Sequence, residues 1–411
     1  MRRTALPVCM MLAAGAIAFK AAQADDAAIF LDTHLDTPVD FARPGWNIME
    51  RHSFEADGSQ VDYPRMVRGG LSGGFWAVFT RQGPLSAQGY ERAYAAALQR
   101  ALEIRTMVAA SGGYFALALK ADDAASVVAA GKRVVFISIE NSYPMGLDPN
   151  ALKTFYLLGV RMAGPVHESN NQFADSSTDP HGPRWHGLSP AGGTLIAQAN
   201  ALGIVLDASH ASDETFDAMI AASKTPIVLS HSSCRALVDN PRNIGDERIR
   251  KLAAAGGVIQ VNAVNEFLKA VPIIPEREAA LASIKAKYEP ISTQTNAAAA
   301  GMIADVRAVD RRYRIPRATF DDFMNQLLHA IRIAGIDHVG VGADWDGGGG
   351  VLGMNDAADL GLIAPRLRSA GYSDADIRKL ESGNILRVLR AAEAFARTEA
   401  AAPHTPMIPV Q

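Results

Sequence analysis

Short apolar runs recur along the whole chain, separated by segments long enough to hold a helix. None of the runs alternates polar with apolar positions, as is typical of strands covered on both faces of a sheet. Each run is therefore predicted to form a buried parallel strand. The eight runs are residues 29–31, 74–79, 134–139, 160–166, 204–206, 227–229, 258–261 and 339–341.

The segments between the runs have helical spacing. Residues 94–108 and 324–331 each place their large apolar side chains near one face of a helix. Strands that alternate with helices indicate βαβ units, and eight units predict an α/β fold, a single (β/α)8 TIM barrel. The long intervals 80–133 and 264–336 predict extra helices in the connections, with the Ala-rich segment 296–309 in the second interval.

Histidines and carboxylates stand where the apolar runs end. In a (β/α)8 barrel all these positions lie at one face, where the active sites of this fold are found. Imidazole and carboxylate groups suit zinc or a similar divalent ion. A single His-x-Asp or a lone histidine is more often structural, but their joint placement indicates a metal site. The residues are His34, Asp36, Glu140, His167, His210, His231 and Asp344.

This set of side chains suits two ions better than one. His34 and Asp36 are two positions apart on a strand, so both side chains point to the same side and can hold one ion. His210 and His231 can hold the second ion, and Glu140 can bridge the two. Two Zn²⁺ ions about 3.5–4 Å apart can share a hydroxide and bind both oxygens of a tetrahedral intermediate.

Three further roles follow from position. Asp344 is the candidate proton carrier, whereas Asp346 better suits a structural role in the turn before Gly347. His167 is placed to donate a hydrogen bond to a developing oxyanion. Arg242, just past the sixth run, is placed to bind a substrate carboxylate with two parallel hydrogen bonds, although a loop arginine is usually a solvated charge.

Composition limits the class of protein. The 411 residues are 48% hydrophobic and 20% charged, which is ordinary for a globular protein. The formal net charge of −3 gives no reason to expect nucleic acid or an anionic membrane as a partner. Cys234 is the one cysteine beyond residue 24, so an internal disulfide is not expected.

The two ends predict an exported protein. Residues 1–24 combine two arginines, an apolar run too short to span a bilayer comfortably and a small-x-small cleavage site, which together predict a signal peptide. Residues 25–399 would form the metal-dependent barrel, and the proline-containing segment 400–411 a disordered tail. We therefore expect the mature protein in the periplasm or outside the cell.

Several longer motifs occur in a recognisable order. In them the sequence resembles the membrane (renal) dipeptidase family of dizinc peptidases, whose mammalian members carry a lipid anchor for which this chain shows no signal. The motifs are DTHLD at 32–36, VDYPRMVRG at 61–69, FW at 75–76, FYLLGVR at 155–161, HESNNQFAD at 167–175, LDASHASDET at 206–215, SHSSCRALVDNPRN at 230–243, GIDHVGVGADWDG at 335–347 and GYSDADIRKLESGNILRVL at 371–389.

The resemblance implies a role for each matching residue. It implies that two zinc ions are bound, and that Asp344 carries the proton, His167 stabilises the intermediate and Arg242 holds the terminal carboxylate. It also implies a dipeptide substrate, often with a D-residue at its C-terminal position, and a homodimer, because many members are homodimers. The implied zinc ligands are His34 with Asp36, His210 with His231, and Glu140 between them.

Some loops depart from the family pattern without removing a proposed ligand. Residues 141–144 (NSYP) replace the glycines usual after the bridging glutamate, and residues 263–265 (AVN) replace aromatic residues. Cys234 stands where alanine is common. The departures concern the loops expected to line the substrate pocket, so they bear on which side chains are preferred.

Two other functions stay open at this level. A metal-dependent deacylase, lactonase or β-lactam-opening amidohydrolase would keep the metals and cleave another bond. Such enzymes often open with His-x-His and bridge through a modified lysine, whereas here the opening is His34-Leu35-Asp36 and His167 closes the fourth run. A secreted barrel that only binds metal or peptide would have lost a reactive position, and none of the predicted positions is lost.

Overall fold

The computed structural model describes residues 28–148, 150–288 and 295–401. The predicted signal peptide lies outside these residues. The predicted tail 400–411 does too, except for its first two residues, which end the last helix. Within the described ranges, no helix is both long enough and apolar enough to cross a membrane.

Every predicted strand is present, and nearly all strand residues are buried. The first strand is longer than predicted and includes His34, whereas the fourth predicted run ends as a strand at Ala163. The strands of the described residues are β1 (Phe30–Leu35), β2 (Leu71–Val78), β3 (Phe115–Leu117), β4 (Arg133–Ile139), β5 (Val160–Ala163), β6 (Val205–Leu206), β7 (Val228–Ser232), β8 (Val258–Val261) and β9 (Val339–Val341).

Eight of these strands close into a parallel ring. Strands β1, β2, β4, β5 and β6 pair in that order in one sheet, and β7, β8 and β9 form a second sheet. Single parallel bridges join the two sheets at both edges, between Asp207 and Val228 and between Leu35 and Trp345. The predicted single (β/α)8 barrel is therefore confirmed, with two edges at which pairing is reduced to one bridge.

The predicted extra helices are present in both long connections, and among the described residues four α-helices lie between β8 and β9, where one would complete the βα unit. The first connection also contains β3, which pairs in parallel with the start of β4. The α-helices are α1 (Phe54–Asp57), α2 (Tyr63–Gly69), α3 (Ala87–Ala110), α4 (Asp123–Ala129), α5 (Ala151–Leu158), α6 (Pro190–Leu202), α7 (Asp213–Ala222), α8 (Asp246–Ala254), α9 (Asn265–Leu268), α10 (Pro275–Tyr288), α11 (Asn296–Arg312), α12 (Phe320–Ala334), α13 (Ile363–Ser369), α14 (Asp374–Arg378) and α15 (Asn384–Ala401).

The last helix closes one end of the barrel. A π-helical segment, Lys379–Gly383, links α14 to α15, and apolar residues of α15 pack in one cluster with strand residues such as Leu31, Phe75 and Phe136. Asn384 at the start of α15 donates to the carbonyl of Val339, the first residue of β9. Helix α15 therefore covers the end of the barrel where the strands begin. The polar residues lie at the opposite end, where the strands finish.

Candidate metal centre and substrate site

The seven predicted strand-end residues meet at the carboxyl end of the barrel. His34 lies in β1 and His231 in β7, while Glu140 directly follows β4. His210 and Asp344 stand a few residues beyond β6 and β9, in the loops at the same face. Because parallel strands present their carboxyl ends together, side chains far apart in sequence become neighbours.

The centre of the cluster is one carboxylate oxygen. Oε1 of Glu140 lies 3.2 Å from Nε2 of His167 and 3.2 Å from Nε2 of His210. The same oxygen lies 3.6 Å from Nε2 of His34 and 3.8 Å from Nε2 of His231. Glu140 thus contacts histidines from both sheets of the barrel, as a bridging group must.

Beside His34 lies a pair of carboxylates. Nε2 of His34 is 3.4 Å from Oδ2 of Asp36, and ligand atoms of His34, Asp36 and Asp344 all lie within 4.8 Å of one another. Gly347 lies against both carboxylates, and a β-carbon there would collide with Oδ2 of Asp36 and Oδ1 of Asp344. A glycine is therefore required for the turn to approach this closely.

His231 is oriented by a chain of hydrogen bonds. The carboxylate of Asp207 accepts from the hydroxyl groups of Ser209 and Ser230, so the Ser230 oxygen is left to accept from Nδ1 of His231 at 2.8 Å. This arrangement places the proton of His231 on Nδ1 and leaves a lone pair on Nε2. Ligating histidines commonly have such a partner behind the ring.

The protonation preferences of the cluster follow from its charges. Burial lowers the pKa of His34, but Asp36 and Glu140 outweigh it and raise the pKa to about 10. Burial, together with neighbouring cationic groups, brings the pKa values of His210 and His231 well below the ordinary value. The carboxylates of Asp36 and Glu140 therefore favour a positive charge at the position of His34. His210 and His231 are kept neutral, the form of histidine that binds metals.

Asp344 is tuned differently from an exposed carboxyl. Burial raises its pKa to about 7, with Asp36 and Glu140 adding to the shift and His34 and Arg242 opposing it. A carboxyl with a pKa near neutrality can both accept and release a proton at working pH. This is the property that a proton carrier requires.

The side chains present fit divalent metal ions. Nε2 of His34 is buried without a hydrogen-bond partner, although it faces two carboxylates, and Nε2 of His210 and Nε2 of His231 face each other at 2.9 Å. Three groups have ligand atoms within 4.8 Å of one another: His34 with Glu140 and His231, Glu140 with His167 and His210, and His34 with Asp36 and Asp344. Imidazole and carboxylate donors in this arrangement are those of zinc and related ions.

Arg242 and His167 lie next to the cluster and not in the solvent. Arg242 is 6% exposed and donates to the carbonyls of Ser209 and His231, and burial lowers its pKa to about 10. A guanidinium has five N–H donors, so others are left for a ligand. The side chain of His167 is 18% exposed, more than those of the other clustered histidines, so a substrate can reach it.

The pattern of strand ends did not predict several neighbours of the site. The Phe79 ring packs against His167 with centroids 4.9 Å apart, and Arg242 lies over the Phe267 ring at 5.3 Å. Ser230 and Asp207 support His231 from behind. Ser230 and Asp207 do stand at strand ends in the sequence, but a hydroxyl is too common there to indicate a support role, and the two aromatic residues have no sequence signal.

A closed barrel with buried imidazoles and carboxylates around one glutamate has the donor set of a metal-dependent enzyme. The family description "Membrane dipeptidase (Peptidase family M19)" matches residues 20–403. That match covers nearly the whole chain, so this protein belongs to the membrane dipeptidase family and is a metallo-dipeptidase.

Individual relatives agree with this assignment. The chain is 28% identical to dipeptidase ataJ of Aspergillus terreus, covering 90% of this chain and 86% of that one. It is 26% identical to dipeptidase verJ of Clonostachys rogersoniana, covering 88% and 84%. The solved structure of the probable dipeptidase PvdM from Pseudomonas aeruginosa is similar, with a TM-score of 0.76, 28% identity and coverage of 90% and 96%.

Proposed function

We propose that this metal-dependent dipeptidase works with two zinc ions, one bound by His34 and Asp36 and the other by His210 and His231. Glu140 would contribute to both sites. The observation that carries the proposal is the position of the Glu140 Oε1 atom, within 3.8 Å of Nε2 atoms on both sides of the barrel.

The protein side chains would divide the remaining work. Bound zinc ions would lower the pKa of water and polarise the scissile carbonyl. Asp344 would take the proton released by the attacking water and pass it to the departing amine, which its pKa near neutrality favours. His167, reachable and beside Glu140, would donate to the oxygen of the tetrahedral intermediate.

Arg242 would limit the substrate to two residues. A buried guanidinium at the edge of the cluster can pair with the terminal carboxylate one residue beyond the cleaved bond. Since Arg242 would bind the carboxylate and not the side chain, a D-residue at the C-terminal position is compatible with the same contact. We therefore propose that dipeptides with either configuration at this position are hydrolysed.

A panel of substrates tests this proposal. We expect the purified protein to hydrolyse dipeptides, to lose activity with a chelator and to recover it with two zinc equivalents per chain. The panel includes L,L- and L,D-dipeptides, N-acylated amino acids, lactones and a β-lactam. Preferred cleavage of an acylated amino acid, a lactone or the β-lactam would contradict the proposed substrate, and full activity without metal would contradict the proposed site.

We also propose that the protein is exported and dimeric, on the basis of the sequence of residues 1–24 and of the family. Fractionation of cells that produce the full chain should place activity outside the cytoplasm. Light scattering of the purified protein should give twice the chain mass. Activity confined to the cytoplasmic fraction, or a monomeric mass, would contradict the respective proposal.

A further inference from the structure

The turn that carries Asp344 has an uncommon backbone. Asp344 has φ 65° and Asp346 has φ 66°, so two non-glycine residues of one short turn occupy the left-handed region. Such residues cost of order 1–3 kcal/mol each and persist where the surrounding structure holds them. The contacts that hold this turn therefore determine where the Asp344 carboxylate lies.

Gln60, in the loop between α1 and α2, binds the turn through both its backbone and its side chain. Its backbone N–H donates to Oδ1 of Asp346, and its side-chain oxygen accepts from the backbone N–H of Asp346 at 2.8 Å. The side-chain nitrogen of Gln60 donates to the carbonyls of Gly349 at 2.6 Å and Asn355 at 2.9 Å. Every polar group of this 3% exposed amide is thus used on the segment that follows Asp344.

A second residue connects the same turn to the first strand. Thr37 donates from its hydroxyl to Oδ2 of Asp346 at 2.6 Å, and Thr37 directly follows Asp36 in the chain. Asp346 is therefore bound on one oxygen by Gln60 and on the other by the segment that carries Asp36. The two carboxylates at His34 are held in place through this one aspartate.

We propose that Gln60 is a positioning residue for the hydrolytic reaction, which it serves by fixing the Asp344 turn through Asp346 and Gly349. This inference rests on the proposed role of Asp344 as the proton carrier. Loss of the Gln60 contacts lets the left-handed residues relax, and the Asp344 carboxylate then leaves its place beside Asp36. A displacement of about 1 Å of a reacting group can lower a rate about 100-fold.

The test compares two buried amides at opposite ends of the barrel. Gln60→Met keeps the length of the side chain and removes its three side-chain hydrogen bonds, while the backbone N–H can still donate to Asp346. Asn384→Leu is the matched control, because Asn384 also donates to two carbonyls, those of Ile336 and Val339, at the end far from Asp344. We expect Gln60→Met to lower kcat about 10- to 100-fold with KM within about threefold and metal content unchanged, and Asn384→Leu to keep kcat.

A double substitution separates positioning from general destabilisation. If Gln60 acts through Asp344, Gln60→Met lowers the residual single-turnover rate of Asp344→Asn by less than twofold. Loss of the same factor in both backgrounds overturns the inference, as does a wild-type kcat or loss of metal in Gln60→Met. If Gln60→Met does not fold, Gln60→Glu replaces it, because the carboxylate can still accept from the N–H of Asp346 but cannot donate to the carbonyls of Gly349 and Asn355. A lowered kcat with metal retained then supports the inference, and a wild-type kcat overturns it.

The failure of this inference can be told from failure of the proposed function. A fully active Asp344→Asn variant contradicts the proton-carrier role itself. An inactive Asp344→Asn variant together with a fully active Gln60→Met variant contradicts the positioning role alone.

Discussion

Nε2 of His210 and Nε2 of His231 lie 2.9 Å apart, facing each other in a buried space beside Glu140. Both imidazoles are kept neutral, because burial brings their pKa values well below the ordinary one. The proton of His231 is on Nδ1, toward Ser230, so its Nε2 presents a lone pair to His210. Both imidazoles are therefore in the neutral charge state that metal binding requires.

Removal of the hydroxyl behind His231 should weaken metal binding. In Ser230→Ala, Nδ1–H of His231 loses its acceptor, and loss of such a support typically costs 10- to 100-fold in metal affinity. Competition with a chromophoric chelator measures the loss. Ser232→Ala is a control on the same strand, since the Ser232 hydroxyl lies 3.5 Å from its acceptor, the carbonyl of Ser209. Equal affinities for both variants would contradict the role of Ser230.

Asp344→Asn should retain metal and lose turnover. The amide has the shape of the carboxyl but cannot accept the proton, and general acid–base catalysis commonly contributes 10²–10⁴-fold. We expect kcat to fall at least about 100-fold, with zinc content by elemental analysis unchanged. Asp239→Asn, at an exposed position, serves as the control. A fully active Asp344→Asn variant would require another proton carrier.

Arg242→Lys should raise KM for dipeptides while sparing substrates without a terminal carboxylate. Lysine retains the charge and loses the planar fork that binds both carboxylate oxygens, a change worth about 10- to 100-fold for a charged hydrogen-bonded pair. Dipeptide amides provide the internal comparison, since kcat/KM for them should be nearly equal in the variant and the wild type. An equal loss of kcat/KM for dipeptides and for dipeptide amides would show that Arg242 supports the site without binding the carboxylate.

Glu381→Gln should stabilise the protein above pH 7 and have little effect at acid pH. Burial raises the pKa of Glu381 from 4.5 to about 7, so the folded state binds the proton more tightly than the unfolded state. Stability is therefore lost as pH rises from about 4.5 to about 7. We expect a gain of about 1–3 kcal/mol at pH 8.

The measurement for Glu381 is the difference in Tm between variant and wild type at pH 4.5 and pH 8. Glu399→Gln, at an exposed position of the following helix α15, is the control and should show no such pH dependence. A gain of the same size at both pH values would mean that the ionised carboxyl is not the cause.

Much of the fold could be predicted because the strands are buried on both faces. The run 258–261 and the run 339–341 coincide with β8 and β9, since an uninterrupted apolar segment bounded by turns has few alternatives. The strand β3 is not among the predicted runs because it lies inside the interval 80–133, whose length indicates extra helices. The end of β5 was predicted too late, at residue 166, because the apolar composition continues past the last paired residue, Ala163.

The sequence predicted the residues of the candidate site, but not the residues that hold them in position. His34, Glu140 and His231 could be placed together because the barrel brings strand ends to one face. Gln60 carries no comparable signal, because its partner Asp346 is 286 positions away and the contact depends on a left-handed turn. Positions of this kind are determined by tertiary geometry and not by local pattern.

The two weakest places in the ring of strands coincide with the two candidate metal positions. The bridge between Asp207 and Val228 has His210 and His231 beside it, and the bridge between Leu35 and Trp345 has Asp36 and Asp344 beside it. An ion at each position would hold strands together where backbone pairing is sparse. Metal affinity and closure of the barrel are then thermodynamically linked, and removing the ions should speed amide exchange first along these two edges.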